Sequence, residues 1–300
     1  MIRKSNILIV GLGLLGGSYA RGLTKAGCTN VYAIDVNPES IAFAQQQRYI
    51  CEGRVEDFEP LIEKADHVVF ALYPTALEEW VRRWGSLLHK GCICTDVSGV
   101  KAGLVETVQA LLPEGVEFIA SHPMAGRELS GVQNAHLVDF SPANFLITPT
   151  EKNTERGIGF AKELAELLGF AHIRTLSCAQ HDRMIGYVSQ LTHAIAVSLM
   201  CAPGAEQFAA YTGDSFRDLT RIARINETMW AELFLWNKDN LTEEIDGFVS
   251  RLETLKQYLI EEDRNGLEEM FRQSTKARAA FDKNEKEGSF CPDPKDKKSN

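Results

Sequence analysis

The sequence predicts an α/β protein: an N-terminal parallel-sheet domain at residues 1–176, an all-helical C-terminal domain at 177–282, and a disordered tail at 283–300. Three observations carry this. Through the first half, short apolar runs alternate with helical stretches, and strands apolar on both faces belong to a parallel sheet covered on both sides. Past residue 177 the strand signal stops and apolar residues recur mostly at three- and four-residue steps, the stripe of amphipathic helices. The last eighteen residues hold five lysines, two prolines and few large apolar groups, a composition that does not order itself on a core.

In chain order, residues 6–10 (NILIV) read as a first strand and 13–25 as a helix, and 31–35 (VYAID) as a second strand. A helix at 38–47 opens on Pro38, where a missing N–H costs nothing. Strands follow at 67–72, 93–96, 117–120, 145–148 and 172–175, with helices at 75–88, 101–112 and 154–168 between them. In the helical half, Phe234, Leu241, Ile245, Phe248, Leu252, Leu255, Tyr258 and Leu259 predict one long amphipathic helix.

Three hundred residues, 44% hydrophobic and 24% charged, suffice for two cores and exclude a mainly disordered or fibrous chain. A formal net charge of −9 repels phosphate backbones and anionic lipids, so neither nucleic acid nor a membrane surface is an expected partner. No apolar run approaches the ~20 residues that span a bilayer. The basic and apolar N-terminus runs into a glycine motif instead of a cleavage site, so the expected location is the cytoplasm. The seven cysteines include no CxxC pair, and Cys92 and Cys94 share one face of a strand. They read as reduced, small apolar residues, and no metal site is expected.

The first chemical signal is GLGLLG between a strand and a helix: Gly11, Gly13 and Gly16, with Leu14 and Leu15 between the last two. Gly11 allows the tight turn, Gly13 lets backbone approach a pyrophosphate, and Gly16 lets the helix pack close to the sheet. The helix N-terminus supplies N–H groups and positive potential for phosphate. Asp35, ending the second strand, would accept hydrogen bonds from ribose hydroxyls and repel a 2′-phosphate, so NAD is the expected cofactor rather than NADP.

Two further stretches, DVSGVK (96–101) and SHPMAGRE (121–128), read as loops at the carboxyl ends of later strands of the same sheet, where open α/β folds bind ligands. His122, on a strand end beside a proline and a glycine turn, can take a proton from a hydroxyl while a hydride leaves the same carbon. It could equally be a structural histidine. Arg217 and Arg221 are four apart and would share a helix face, suited either to a dicarboxylate or to pairing with acids such as Asp214. His193, on an apolar helix, is a core residue or a ligand contact.

Together these motifs resemble the prephenate dehydrogenase family, which includes arogenate dehydrogenases. The likeness spans residues 6–276 and rests on IVGLGLLGGS (9–18), DVSGVK, SHPMAGRE.SG (121–131), HDRMIGYVSQLTHAIA (181–196) and FRDLTRIA followed by MW (216–230). The resemblance implies a Rossmann-type domain followed by a helical domain that makes a homodimer. It implies NAD-dependent oxidative decarboxylation of prephenate to 4-hydroxyphenylpyruvate, in tyrosine biosynthesis. His122 would be catalytic. Arg221 would bind a substrate carboxylate with Arg217 assisting, His193 would line the site, Glu128 would stand at its edge, and Trp230 would help close it. The family usually has serine where Gly99 stands, so Ser98, one residue earlier, is the candidate for that catalytic contact. Arogenate is the alternative substrate. A β-hydroxyacid dehydrogenase would instead use a lysine base on the helical domain, and the helix at 184–200 contains none.

Overall fold

The computed structural model describes residues 2–126 and 129–281, so Glu128 and the tail at 283–300 lie outside the described residues. Strands β1 (Ile7–Val10), β2 (Val31–Ile34), β3 (Glu52–Arg54), β4 (His67–Phe70), β5 (Ile93–Asp96) and β6 (Glu117–Phe118) form one parallel sheet in the order β3-β2-β1-β4-β5-β6. The order turns back between β1 and β4, which opens a crevice at the strands' carboxyl ends.

Because strand side chains alternate, each strand feeds two cores. Ile7, Ile9, Val31, Ala33 and Ile93 pack on one face with α1 (Leu14–Lys25) and α6 (Glu155–Leu168). Leu8, Val10, Val68, Phe70, Cys92 and Cys94 pack on the other with α4 (Pro74–Trp84) and α5 (Leu104–Leu111). Each fully buried aliphatic side chain contributes about 1.5–3 kcal/mol. The six described cysteines form no disulfide, and no cluster of metal-ligating side chains occurs among the described residues. No single helix is long and apolar enough to cross a membrane.

The sheet departs from the sequence expectation in two places. The edge strand β3 and the short helix α3 (Glu59–Glu63) fall in the stretch after α2 (Pro38–Gln46), for which the reading had no element. β3 is polar, and Arg54 and Lys64 both pair with Glu52 there. The single strand expected at 117–120 is two: β6 ends at Phe118, and β7 (Ala120–Pro123) leaves the main sheet. β7 pairs antiparallel with β8 (Asn144–Thr148), which pairs parallel with β9 (His172–Thr175). The strands at 145–148 and 172–175 thus belong to this second, three-stranded sheet. The Asp96 side chain causes the split. Its Oδ1 accepts the Ser121 N–H at 2.9 Å, replacing a ladder carbonyl where β7 leaves β5.

Beyond β9, α7 (Cys178–Ile185) runs through a π turn at Gly186–Gln190 into α8 (Leu191–Met200). Then come α9 (Asp214–Thr220), a 3₁₀ turn at Arg221–Ala223, α10 (Glu227–Trp236), α11 (Lys238–Ile260) and α12 (Arg264–Arg278). The stripe read as one long helix is interrupted at Asn237. Its side-chain amide donates to the Asp182 carbonyl at 2.8 Å and to Gln190 Oε1 at 2.7 Å, and this buried anchor separates α10 from α11. The chain forms two compact units, residues 1–244 and 245–300, and α7 to α10 lie in the first together with both sheets.

Candidate active site

The glycine loop follows β1 at the switch point. Gly11 has φ +93°, and a Cβ there would meet the Ala71 carbonyl at 2.6 Å; one at Gly16 would lie 1.9 Å from the Gly11 carbonyl. Both glycines are required by the turn and the packing of α1. Gly13 differs: nothing lies within 4 Å of its Cβ position, so its backbone is open to a ligand at the start of α1. Leu14 and Leu15 are half-buried against the core. Asp35, just past β2, accepts the Leu12 N–H at 2.5 Å and the Asn37 N–H at 2.7 Å. These residues fit a dinucleotide: open backbone at a helix N-terminus, with a fixed carboxylate at the neighbouring strand end.

Two strand positions along the crevice, β5 ends in Asp96, the anchor of a buried polar cluster. Lys101 Nζ is wholly buried and donates to Asp96 Oδ2 (2.5 Å), the Ser98 carbonyl (3.0 Å) and the Ser121 carbonyl (2.7 Å). All three ammonium protons are satisfied, which is what makes a buried lysine tolerable. The helix expected at 101–112 begins only at Leu104, because Lys101 is drawn inward to this role.

His122 lies within β7, opposite Leu146 of β8, and so on the second sheet rather than the main one as expected. Its Nδ1 is 2.9 Å from His181 Nε2, and His181 Nδ1 is 2.6 Å from Asp182 Oδ1. Burial, the His181 ring and the Lys101 charge hold the His122 imidazole well below its ordinary pKa. Burial and Lys101 push His181 down to about 2, and burial pushes Asp182 up to about 6. At neutral pH both rings are therefore uncharged and Asp182 is a carboxylate. His122 Nε2 makes no hydrogen bond among the described residues, and a neutral imidazole nitrogen there can accept a proton. His181 and Asp182 open the HDRMIGYVSQLTHAIA motif, and the sequence alone assigns them no role. The signal available was an adjacent His-Asp pair in the first turns of a helix.

Ser98 is buried, with Oγ 3.4 Å from the Val100 N, and no hydrogen bond joins it to His122 among the described residues. Gly99 is the residue beside that ring: a Cβ there would stand 3.9 Å from His122 Cε1 and 3.6 Å from a Leu233 methyl. Leu233 belongs to α10, and so does Trp230 one turn earlier, whose ring stacks on His193 with centroids 3.7 Å apart. His193 Nδ1 donates to the Ser189 carbonyl at 2.9 Å, so the stacked ring is held by its own helix.

The 3₁₀ turn that starts at Arg221 packs on α8, the helix of His193. α9 ends at Thr220, and Arg221, still in right-handed helical conformation (φ −50°, ψ −42°), opens the 3₁₀ turn that follows, so the two arginines stand on either side of a change of helix type. Both are exposed, and Arg217 pairs with Asp214 at 2.6 Å and donates to the Thr212 carbonyl. The structure thus gathers His122, His181 and Asp182 at one end, and His193, Trp230 and the Arg221 turn at the other, with α10 bordering both.

A parallel sheet with a glycine loop at its switch point, and a neutral histidine on a neighbouring strand backed by a helix, defines a nucleotide-binding oxidoreductase fold. Comparison with known proteins narrows this class. The sequence matches the profile of the prephenate dehydrogenase nucleotide-binding domain over residues 19–174 and that of the prephenate dehydrogenase dimerization domain over 177–273. The prephenate dehydrogenase of Bacillus subtilis (strain 168) is 30% identical over 282 residues, 90% of this chain and 74% of that protein. The cyclohexadienyl dehydrogenase of Zymomonas mobilis is 29% identical over 92% of this chain and 96% of its own length. A crystal structure of prephenate dehydrogenase from A. aeolicus in complex with hydroxyphenyl propionate and NAD+ matches with TM-score 0.83 at 32% identity, over 93% of this chain and 98% of that one. The chain belongs to the prephenate dehydrogenase family and is a dehydrogenase.

Proposed function

We propose that the protein oxidises and decarboxylates prephenate to 4-hydroxyphenylpyruvate in tyrosine biosynthesis, with NAD as hydride acceptor and as a homodimer in the cytoplasm. The observation that carries this reading is His122: its Nδ1 is engaged by His181, and its Nε2 is left for a hydroxyl at the crevice edge. The crystal ligands of the A. aeolicus relative, a hydroxyphenyl acid and NAD+, are the kinds of molecule such a crevice would hold.

The bound dinucleotide supplies the hydride acceptor. Gly13 and the start of α1 receive its phosphates, and Asp35 its ribose. Arg54, the basic side chain ending the adjacent β3, is already engaged by Glu52, which favours NAD over a 2′-phosphorylated form. His122 Nε2 accepts the hydrogen bond of the ring hydroxyl and takes its proton as the carbinol carbon becomes electron-poor. Loss of the ring carboxylate as carbon dioxide makes the ring aromatic, and His122 returns the proton to the phenol oxygen. Arg221 receives a substrate carboxylate, with Arg217 at the rim, and the His193–Trp230 stack forms a wall. Ser98 acts by shaping the loop that carries Gly99 past His122.

The test is the initial rate of dinucleotide reduction with prephenate and arogenate side by side, each with NAD and with NADP. The expected result is the highest rate with prephenate and NAD. Preference for arogenate would replace the substrate, preference for NADP would overturn the Asp35 argument, and no turnover with any pair would overturn the reading.

A further inference from the structure

We infer that His181 and Asp182 are positioning residues that hold His122 in the tautomer with hydrogen on Nδ1 and a bare Nε2, so that the ring meets a substrate hydroxyl only as an acceptor. The inference rests on the proposed function for its catalytic meaning, but the tautomer itself follows from hydrogen-bond parity.

Two backbone amides, which can only donate, fix the state of the Asp182 carboxyl group. The Lys101 N–H donates to Asp182 Oδ1 at 2.9 Å, and the Ala102 N–H donates to Asp182 Oδ2 at 2.7 Å. Both carboxyl oxygens are therefore acceptors, the pattern of an ionised carboxylate. The third contact, His181 Nδ1 to Asp182 Oδ1 at 2.6 Å, must then carry its hydrogen on the imidazole. The opposite arrangement would set a bare nitrogen against a bare oxygen at that distance. His181 and Asp182 are at most 1% exposed, and the Lys101 ammonium lies in the same cluster. A second proton on His181 is thereby excluded, leaving its Nε2 an acceptor. His122 Nδ1, 2.9 Å away, must donate to it. A neutral His122 has no other ring hydrogen, so Nε2 is bare.

The pair is itself anchored. The Asp182 carbonyl accepts from the buried Asn237 side chain, which also donates to Gln190 Oε1, while Gln190 Nε2 donates to the Leu233 carbonyl of α10. The π turn at Gly186–Gln190 places Gln190 in this network, consistent with the tendency of such turns to mark functional sites. An imidazole without this chain would sample both tautomers. In the wrong one it would present a donor to the hydroxyl and could not take its proton.

The experiment uses the full chain with ring-¹⁵N histidine, and long-range ¹H–¹⁵N correlation spectra near neutral pH, with His122→Asn assigning the His122 signals. The expected wild-type result is a single His122 tautomer protonated at Nδ1; a ring protonated at Nε2 overturns the proposal. His181→Phe keeps the volume and removes the acceptor. It is expected to let His122 populate the Nε2–H form and to lower kcat roughly 10–100-fold, with prephenate KM and NAD affinity little changed. His181→Gln offers an amide oxygen near the old Nε2 and is expected to recover most of that loss. A folded His181→Phe protein with wild-type kcat and an unchanged tautomer contradicts the proposal. Wild-type protein inactive on prephenate but showing the Nδ1–H signal would overturn the functional reading and leave the tautomer assignment standing.

Discussion

Asp96, Lys101, Ser121, His181 and Asp182 surround His122 and are each at most 1% exposed, whereas Arg217 and Arg221, at the other end of the candidate site, stand on an exposed helix end. Around His122 the polar atoms are tied by contacts of 2.5–3.0 Å, many to backbone groups that cannot rearrange. Around Arg217 the partners are an exposed aspartate and a neighbouring carbonyl. On the proposed reading, the end that handles the proton is thus set before substrate arrives, because a misplaced buried charge would cost several kcal/mol. The exposed Arg221 side chain, on the same proposed reading, would turn to an incoming carboxylate and form a bidentate pair with it when the site is filled.

If that contrast is right, damage at the buried end should be structural as well as chemical. Lys101→Met leaves the Asp96 carboxylate buried without its counter-charge and should cost about 3–5 kcal/mol, read as a lower urea midpoint. An unfolding free energy within a few tenths of a kcal/mol of wild type would contradict the contrast at its stronger side. Arg221→Ala should leave the urea midpoint and NAD affinity alone and raise prephenate KM by roughly ten- to hundredfold, the size of a charge-assisted contact at ~1.5–3 kcal/mol. Arg217→Ala, whose side chain is already paired with Asp214 in solvent, should change KM by less than about threefold. Equal losses from the two arginines would contradict this difference between them.

The smallest effect concerns pH. His67, stacked on Phe160, is held uncharged in the fold with its pKa pushed down to about 4, chiefly by burial. The unfolded chain's imidazole ionises at its ordinary value of 6.5. Its contribution to stability is therefore full above pH 6.5 and is lost as pH falls toward 4. His122 and His181 share this sign. Asp182, raised to about 6, has the opposite sign and stabilises the fold as pH falls through 6. His67→Phe should leave turnover unchanged and shrink the drop in Tm between pH 7 and pH 5. An unchanged drop would contradict it.

The same contrast explains what could be read from the sequence. The glycine loop, Asp35 and the main strands are legible because local geometry alone demands them: a turn at Gly11, a close approach at Gly16, alternating apolar faces in β1 and β4. The chain neighbours of His122 mark it as a candidate but place it on the main sheet, since the departure of β7 depends on one side chain, Asp96, taking over a backbone acceptor. Lys101 read as a helix residue because nothing local says that its ammonium turns inward. The link from His122 to His181 spans fifty-nine residues and joins a strand to a helix, so no periodicity announces it. The break at Asn237 has the same origin, a buried amide bonded to residues far away in the chain. The two arginines are legible as a pair four apart, but their spacing does not reveal the change from α9 to a 3₁₀ turn between them.

His122→Asn removes the group proposed to handle the hydroxyl proton from a preformed seat. With prephenate and NAD, kcat should fall by roughly 10²–10⁴, the range of a lost acid–base group, while NAD affinity measured by direct titration stays at the wild-type value. A variant that turns over as fast as wild type, or one whose loss is entirely in NAD binding, would contradict the assignment.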